Sequence, residues 1–146
     1  GLAFAGLAAI QAVVVSAVAF GLLGLDTAGS PIAVCALAVG NALLGMALGL
    51  FVSAFATPAF QAVQFMPAFV LPQLLLCGLF VPREGMVEAL QVAADALPMT
   101  YAFDSLQRVA ADGRLGERGT LDVVVIVASI VVALALGAAT LRRRTA

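Results

Sequence analysis

The chain has 146 residues, of which 64% are hydrophobic and 10% charged, with a net charge of −1. Its mean hydropathy is +1.17, whereas a soluble domain is about half apolar and about a quarter charged, so one small core cannot hide this much apolar surface. The absence of His and Lys removes Ser-His-Asp and Cys-His catalysis, His-ligated metal sites and a GxxxxGK[ST] phosphate loop, and the lack of a basic block outside the C-terminal tail argues against nucleic acid.

Charge is absent from Gly1 to Leu25, from Thr27 to Pro82 and from Val123 to Leu141. Uncharged apolar runs of that length are read as transmembrane helices, and the chain is an integral membrane protein of the all-α class. A helix crossing a hydrocarbon core about 30 Å thick needs roughly 20 residues. Four spans are predicted, over residues 2–25, 32–55, 60–81 and 121–141. The first is closed by the turn-rich stretch from Asp26 to Pro31, the second by Thr57-Pro58, the third by Pro82-Arg83-Glu84-Gly85 and the fourth by Arg142, Arg143 and Arg144. Tight connections near Asp26 and Pro58 make the first three spans antiparallel neighbours. A signal peptide opens with a basic stretch and a much shorter apolar region. This chain opens with Gly and has no basic residue before Arg83, so it is expected to begin partway through a longer protein.

Along the second span, Asn41, Gly45, Gly49 and Ser53 fall four apart and share a helix face. Gly45 and Gly49 form a GxxxG, and small residues let helix backbones approach closely in lipid. Gly45, Gly49 and Ser53 are therefore candidates for helix packing. Asn41 places an amide in hydrocarbon, where it needs a partner helix or water; it is a candidate for an interhelical hydrogen bond or for lining a pathway. The third span carries Pro67 and Pro72 away from its ends, followed by Gln73. Each proline removes a backbone hydrogen bond, and carbonyls freed in a membrane persist where neighbours or cavity water satisfy them. Gln61 and Gln64 lie near the start of this span. The two readings are a kinked helix beside a polar cavity and a kinked packing helix. Cys35 and Cys77 sit in separate apolar runs without CxxC spacing and read as inert fillers.

Residues 83–120 form the polar segment. Met86, Leu90, Ala93 and Leu97 recur at helical spacing opposite Glu88, Gln91 and Asp95. Pro98 suits the first turn of a second helix, in which Phe103, Leu106 and Val109 oppose Asp104, Gln107 and Arg108 until Gly113 breaks the pattern. Two short amphipathic helices lying on the outer membrane face are predicted. Positive charge collects on the cytoplasmic side, and the three terminal arginines abut the fourth span, so both ends are assigned to the cytoplasm and the polar segment to the outside. No acid or base lies deep in a span, which counts against proton or ion relays and against an intramembrane aspartyl protease.

Two helices joined by a tight turn, a third ending Cys77-Gly78-Leu79-Phe80-Val81-Pro82, a stretch Leu97-Pro98-Met99-Thr100-Tyr101-Ala102-Phe103-Asp104-Ser105-Leu106-Gln107-Arg108 and a last helix ending in arginines follow one another here. This layout resembles the C-terminal two-thirds of an ABC-2 type transporter permease of the daunorubicin-resistance or polysaccharide/lipid-exporter sort. The most specific element is Leu97, Pro98, Thr100, Tyr101, Asp104 and Arg108. The resemblance implies a single permease domain over 1–146, incomplete at its N-terminus, whose four spans are the last four of six. It also implies export of a drug, lipid or glycan across the cell membrane, a separate ATP-binding-cassette ATPase subunit, a second permease as homo- or heterodimer, no cofactor, and a coupling helix that is not in this sequence. The alternatives are a secondary transporter or channel bundle and a non-transporting scaffold subunit.

Overall fold

In a computed structural model of the chain, residues 2–55 and 59–144 are described. Among them the regular structure is helical throughout: α1 (Leu2–Gly21), α2 (Pro31–Phe55), α3 (Ala59–Leu76), α4 (Glu88–Asp95), α5 (Pro98–Asp112) and α6 (Gly116–Arg144), with a 3-10 turn at Arg83–Gly85 before α4. The protein is an all-α membrane protein. Three helices, α1, α2 and α6, are long and apolar enough to cross a bilayer. The connection at Thr57-Pro58 lies outside the described residues, as do the side chains of Gln61 and of the terminal arginines.

Local chemistry sets the boundaries. The first helix ends at Gly21, earlier than the apolar run, and Gly24 takes a positive φ of 63°. Pro31 opens α2, where its fixed φ suits a helix and its missing N–H costs nothing. The third helix is 18 residues long and stops at Leu76, five residues short of the predicted end. At about 1.5 Å per residue it is a few ångströms shorter than the hydrocarbon core. Beyond it, Gly78 at φ 99° turns the chain out of the helix. The last helix starts at Gly116, so the predicted start of the fourth span at residue 121 falls one turn inside it.

The second helix is the centre of the bundle. It packs along α6 and α1, and α5 wedges between it and α6. Leu44, Ala102 and Ile126 form the buried cluster where α2, α5 and α6 meet, with Leu48, Tyr101 and Ile130 against them. Close approach of α2 and α6 runs through small residues: a Cβ at Gly137 would meet Phe51 Cα at 3.7 Å, and Ala47, Ala54 and Ala133 are buried. Lipid tails are as apolar as leucine, so packing and hydrogen bonding hold such a bundle rather than the hydrophobic effect. Much of the large apolar surface accordingly points outward, including Leu7, Ile10 and Val14 of α1 and Val124 and Val131 of α6.

The two predicted amphipathic helices form, and α5 docks more deeply on protein than a helix lying on a lipid surface would. On α4 the predicted apolar face is exposed at Leu90 and Ala93, and Ala94 is buried instead. On α5, Val109 is buried and Phe103 and Leu106 half-buried, yet Thr100, Ala102 and Ser105 are buried as well. A helix lying on a lipid surface would turn its largest apolar side chains to the lipid; α5 turns small and hydroxyl-bearing residues to protein.

Candidate functional site

The features that could carry work converge on α5. Its N-terminus is locked to α4 by two hydroxyls. Thr100 Oγ1 donates to the Ala94 carbonyl at 2.6 Å and Tyr101 OH donates to the Asp95 carbonyl at 2.7 Å. The last carbonyls of a helix have no intrahelical donor, and here the next helix supplies two. With Pro98 at the first turn and Leu97 extended as the N-cap at φ −98° and ψ 125°, Leu-Pro-x-Thr-Tyr is a corner in which each residue type has a job.

The far end of α5 is held by the α1–α2 turn. The Ala28 amide donates to the Ala110 carbonyl at 2.9 Å, and Gly29 is buried directly against α5. A Cβ at Gly29 would overlap the Val109 carbonyl oxygen and reach Val109 Cγ1 at 2.7 Å. Gly113 ends α5 in the left-handed conformation, φ 71°, with its amide on the Val109 carbonyl; a Cβ there would meet the Ala28 carbonyl oxygen at 2.7 Å. Two glycines thus permit backbone-to-backbone contact between the first helix pair and the polar segment. On its third side α5 is tied to α6 by Arg108, whose Nε lies 3.4 Å from Asp122 Oδ2. Asp122 is buried, where a charge needs a partner of opposite sign; Arg108 Nε and Asp122 Oδ2 form an ion pair without a hydrogen bond between them.

Asn41 of α2 reaches the middle of α5, donating from Nδ2 to the Ala102 carbonyl at 3.0 Å. Its Oδ1 is buried and has no hydrogen-bond partner among the described residues. Asn41 lines a half-open apolar cavity of about 190 Å³ with Leu44, Leu48, Leu74, Cys77 and Met99. It also lines an open groove of about 550 Å³ between α1 and α2 that contains a second amide, Gln11. A polar recess of about 620 Å³ lies on the other face of α5, walled by Glu84, Gln91, Asp104, Gln107 and Arg118.

The structure therefore joins Asn41, Thr100, Tyr101 and Arg108 around one helix and leaves other candidates apart from it. Gly45 borders the cavity, and a Cβ there would meet nothing within 4 Å; Ser53 is exposed. Among the described residues α2 buries Leu44, Ala47 and Ala54 rather than Gly45. Gly49 is half-buried. Pro67 and Pro72 lie on the exposed side of α3. Pro72 leaves the Ala68 carbonyl without its helical donor, and the buried Gln73 donates to the next carbonyl, Phe69, at 3.3 Å. The cavity that Leu74 and Cys77 line at the end of α3 is apolar. Sequence reasoning missed Gln11, Gly29 and Asp122. Gln11 carries a signal, being the one amide in the first apolar run; the other two owe their roles to partners some 80 and 14 positions away.

Residues 2–110, α1 through most of α5, match the model of a family described as ABC-2 type transporter. No curated protein and no solved structure matches the chain.

Proposed function

The chain belongs to the ABC-2 type transporter family and is a permease component of an ABC-type transporter; from this premise we propose that it forms part of the substrate pathway of an exporter powered by a separate ATPase subunit. In this reading α1, α2, α3 and α6 are the last four spans of a six-span permease in the cell membrane. Both chain ends face the cytoplasm, residues 83–120 lie outside, and a second permease completes the pathway. The family match carries the reading. Two features of the chain support it. These 146 residues hold no lysine-bearing phosphate loop, which supports nucleotide chemistry outside them. Its apolar runs carry no acid or base except at their margins, whereas ion-coupled carriers place titratable groups at membrane depth.

The geometry suggests how closure elsewhere in the complex could reach the outer segment. α5 is bonded to α2 through Asn41, to the α1–α2 turn through Ala28 and to α6 through Arg108. A rigid-body shift of any of these helices is therefore felt at one short element, as alternating access between packed bundles requires. The test is transport in sealed vesicles containing the full-length permease. Uptake is expected only with the ATPase partner and ATP. A proton or sodium gradient driving equal uptake without the ATPase would overturn the proposal in favour of a secondary transporter.

A further inference from the structure

Gln11 and Asn41 line the same groove, and the match between them carries an inference that deepens the permease reading and rests on it for its role in transport. We propose that the two side chains form an amide bridge at the middle of the membrane, that the structure shows this bridge open, and that its closure draws α1 onto α2 as a step of the transport cycle.

Depth comes first. Nine residues of α1 precede Gln11 and ten follow it, while ten residues of α2 precede Asn41 and fourteen follow it. Both amides therefore lie in mid-span, and in an antiparallel pair the middles of the helices stand side by side. The groove runs from Ala8 to Val15 on one helix and from Ala38 to Met46 on the other. Each amide sits at the centre of its stretch, which sets the two within about one turn of the same level.

Donors and acceptors then select the partner. Asn41 spends one Nδ2 proton on the Ala102 carbonyl at 3.0 Å and leaves a buried Oδ1 without a partner among the described residues. Such an acceptor is costly, and the hydrocarbon holds no water to serve it. Backbone N–H groups in mid-helix are taken by carbonyls of their own helix. Among the residues lining the cavity, the other side chain with a donor is Cys77, and its thiol already donates to the Leu74 carbonyl at 3.2 Å. Among those lining the groove it is Gln11, since alanine, valine, methionine and leucine make up the rest. Gln11 is exposed, and its carboxamide brings two N–H donors. Its oxygen can in turn take the second Nδ2 proton of Asn41, so the bridge serves both amides. Ala8, Ala12, Ala38 and Ala42 line the groove beside them and are small enough to let two helices approach. Through Asn41, the closed bridge links α1 to the Ala102 carbonyl of α5.

The test uses the full-length permease stripped of its native cysteines, Cys35 and Cys77 included, with Ala8→Cys and Met46→Cys placed across the groove to report its closure. Disulfide formation under copper phenanthroline is followed in phosphatidylcholine nanodiscs without ATPase or nucleotide. The reporter protein should form the disulfide within one chain. Gln11→Met keeps the length of the side chain and removes the amide; it should slow the reaction by a factor of roughly 2–10, the worth of one neutral hydrogen bond. Asn41→Leu should slow it likewise, and the two together no more than either alone, because both remove the same bond. An unchanged rate in Gln11→Met, or factors that multiply in the double variant, would overturn the bridge. So would a reporter disulfide that does not form, or one that forms between two copies. If Asn41→Leu does not fold, the rate of Gln11→Met against the reporter protein decides the matter. The role in transport is read separately, in sealed vesicles with the ATPase and ATP. The disulfide-locked protein should lose uptake and regain it with dithiothreitol. Uptake undiminished by the lock would overturn the closing step, whereas a reduced protein that takes up nothing strikes the permease reading and leaves the disulfide rates standing.

Discussion

The first and fifth helices sit at opposite ends of a scale. α1 is 20 residues of almost unbroken apolar sequence, yet only Ala12 and Ser16 are buried. α5 has 15 residues, among them Asp104, Gln107 and Arg108, yet it buries Thr100, Ala102, Ser105 and Val109 and touches α2, α3, α4 and α6. In water the more apolar helix would be the core. In lipid the order reverses, because a leucine gains nothing by leaving hydrocarbon for protein, whereas small and hydrogen-bonding residues gain close contact and satisfied polar groups. The contrast predicts that changes on α5 and its partners are costly and that changes on outward faces are cheap.

The largest effect belongs to the contact between the α1–α2 turn and α5. Gly29→Val puts a branched side chain where the Val109 backbone stands, and a carbonyl cannot swing aside as a side-chain tip can. Overpacking costs typically 1–3 kcal/mol, and this site should reach about 3 kcal/mol. Thermal unfolding in detergent micelles is the measurement. A melting temperature equal to the parent's would mean that the turn does not dock on α5 and that the contrast between the helices is overstated.

Next comes the Arg108–Asp122 pair. Replacing Arg108 by Leu strips a carboxylate of which about a tenth is exposed of its guanidinium, while the guanidinium itself is about a third exposed. Breaking a fully buried pair costs about 3–5 kcal/mol; solvent screening at Arg108 lowers the expectation to about 2 kcal/mol. A double-mutant cycle with Asp122→Leu should return a coupling of about 1 kcal/mol or more. Coupling near zero would show that α5 is seated without the pair.

A smaller effect tests the corner. Thr100→Val keeps the shape but removes the 2.6 Å donor to the Ala94 carbonyl, which keeps the Leu97 amide at 3.0 Å, so the loss should be about 1 kcal/mol. Tyr101→Phe removes a bond on the exposed side and should cost about 0.5 kcal/mol. Equal losses from the two would erase the distinction between the buried and the wet side of α5.

How far these features were legible follows from the same physics. The length of the uncharged runs located α1, α2 and α6, and Pro98 and Gly113 marked both ends of α5 to the residue. Helical spacing found α4 and its apolar side, on which Leu90 and Ala93 are exposed, but not the buried contact at Ala94. Apolar periodicity reports which side avoids water, and beside a membrane that side can look at lipid as well as at protein. The early end of α3 was hidden because Cys77 to Val81 are as apolar as the helix they leave, and only Gly78 hints at the turn. Thr100, Tyr101 and Arg108 were singled out by resemblance alone. Their roles as donors to Ala94 and Asp95 and as partner of Asp122 depend on how α4 and α6 are placed, which no local pattern encodes.

The smallest effect is the sharpest test of an outward face. Gly45 sits in the middle of α2, where a glycine costs roughly 0.5–1 kcal/mol relative to alanine through backbone entropy. An added Cβ meets nothing within 4 Å, so no steric term offsets that gain. Gly45→Ala should therefore leave the melting temperature unchanged or raise it slightly. A close GxxxG contact would give the opposite sign, since a methyl group between two backbones forces them apart. Among the described residues nothing stands within 4 Å of such a Cβ, so a second permease is the contact this test looks for. Measuring the mutant's stability alongside its oligomeric state by crosslinking separates the two cases. Intact stability with loss of the dimer would assign the Gly45 face to the partner, whereas intact stability with an unchanged dimer would leave it to the cavity.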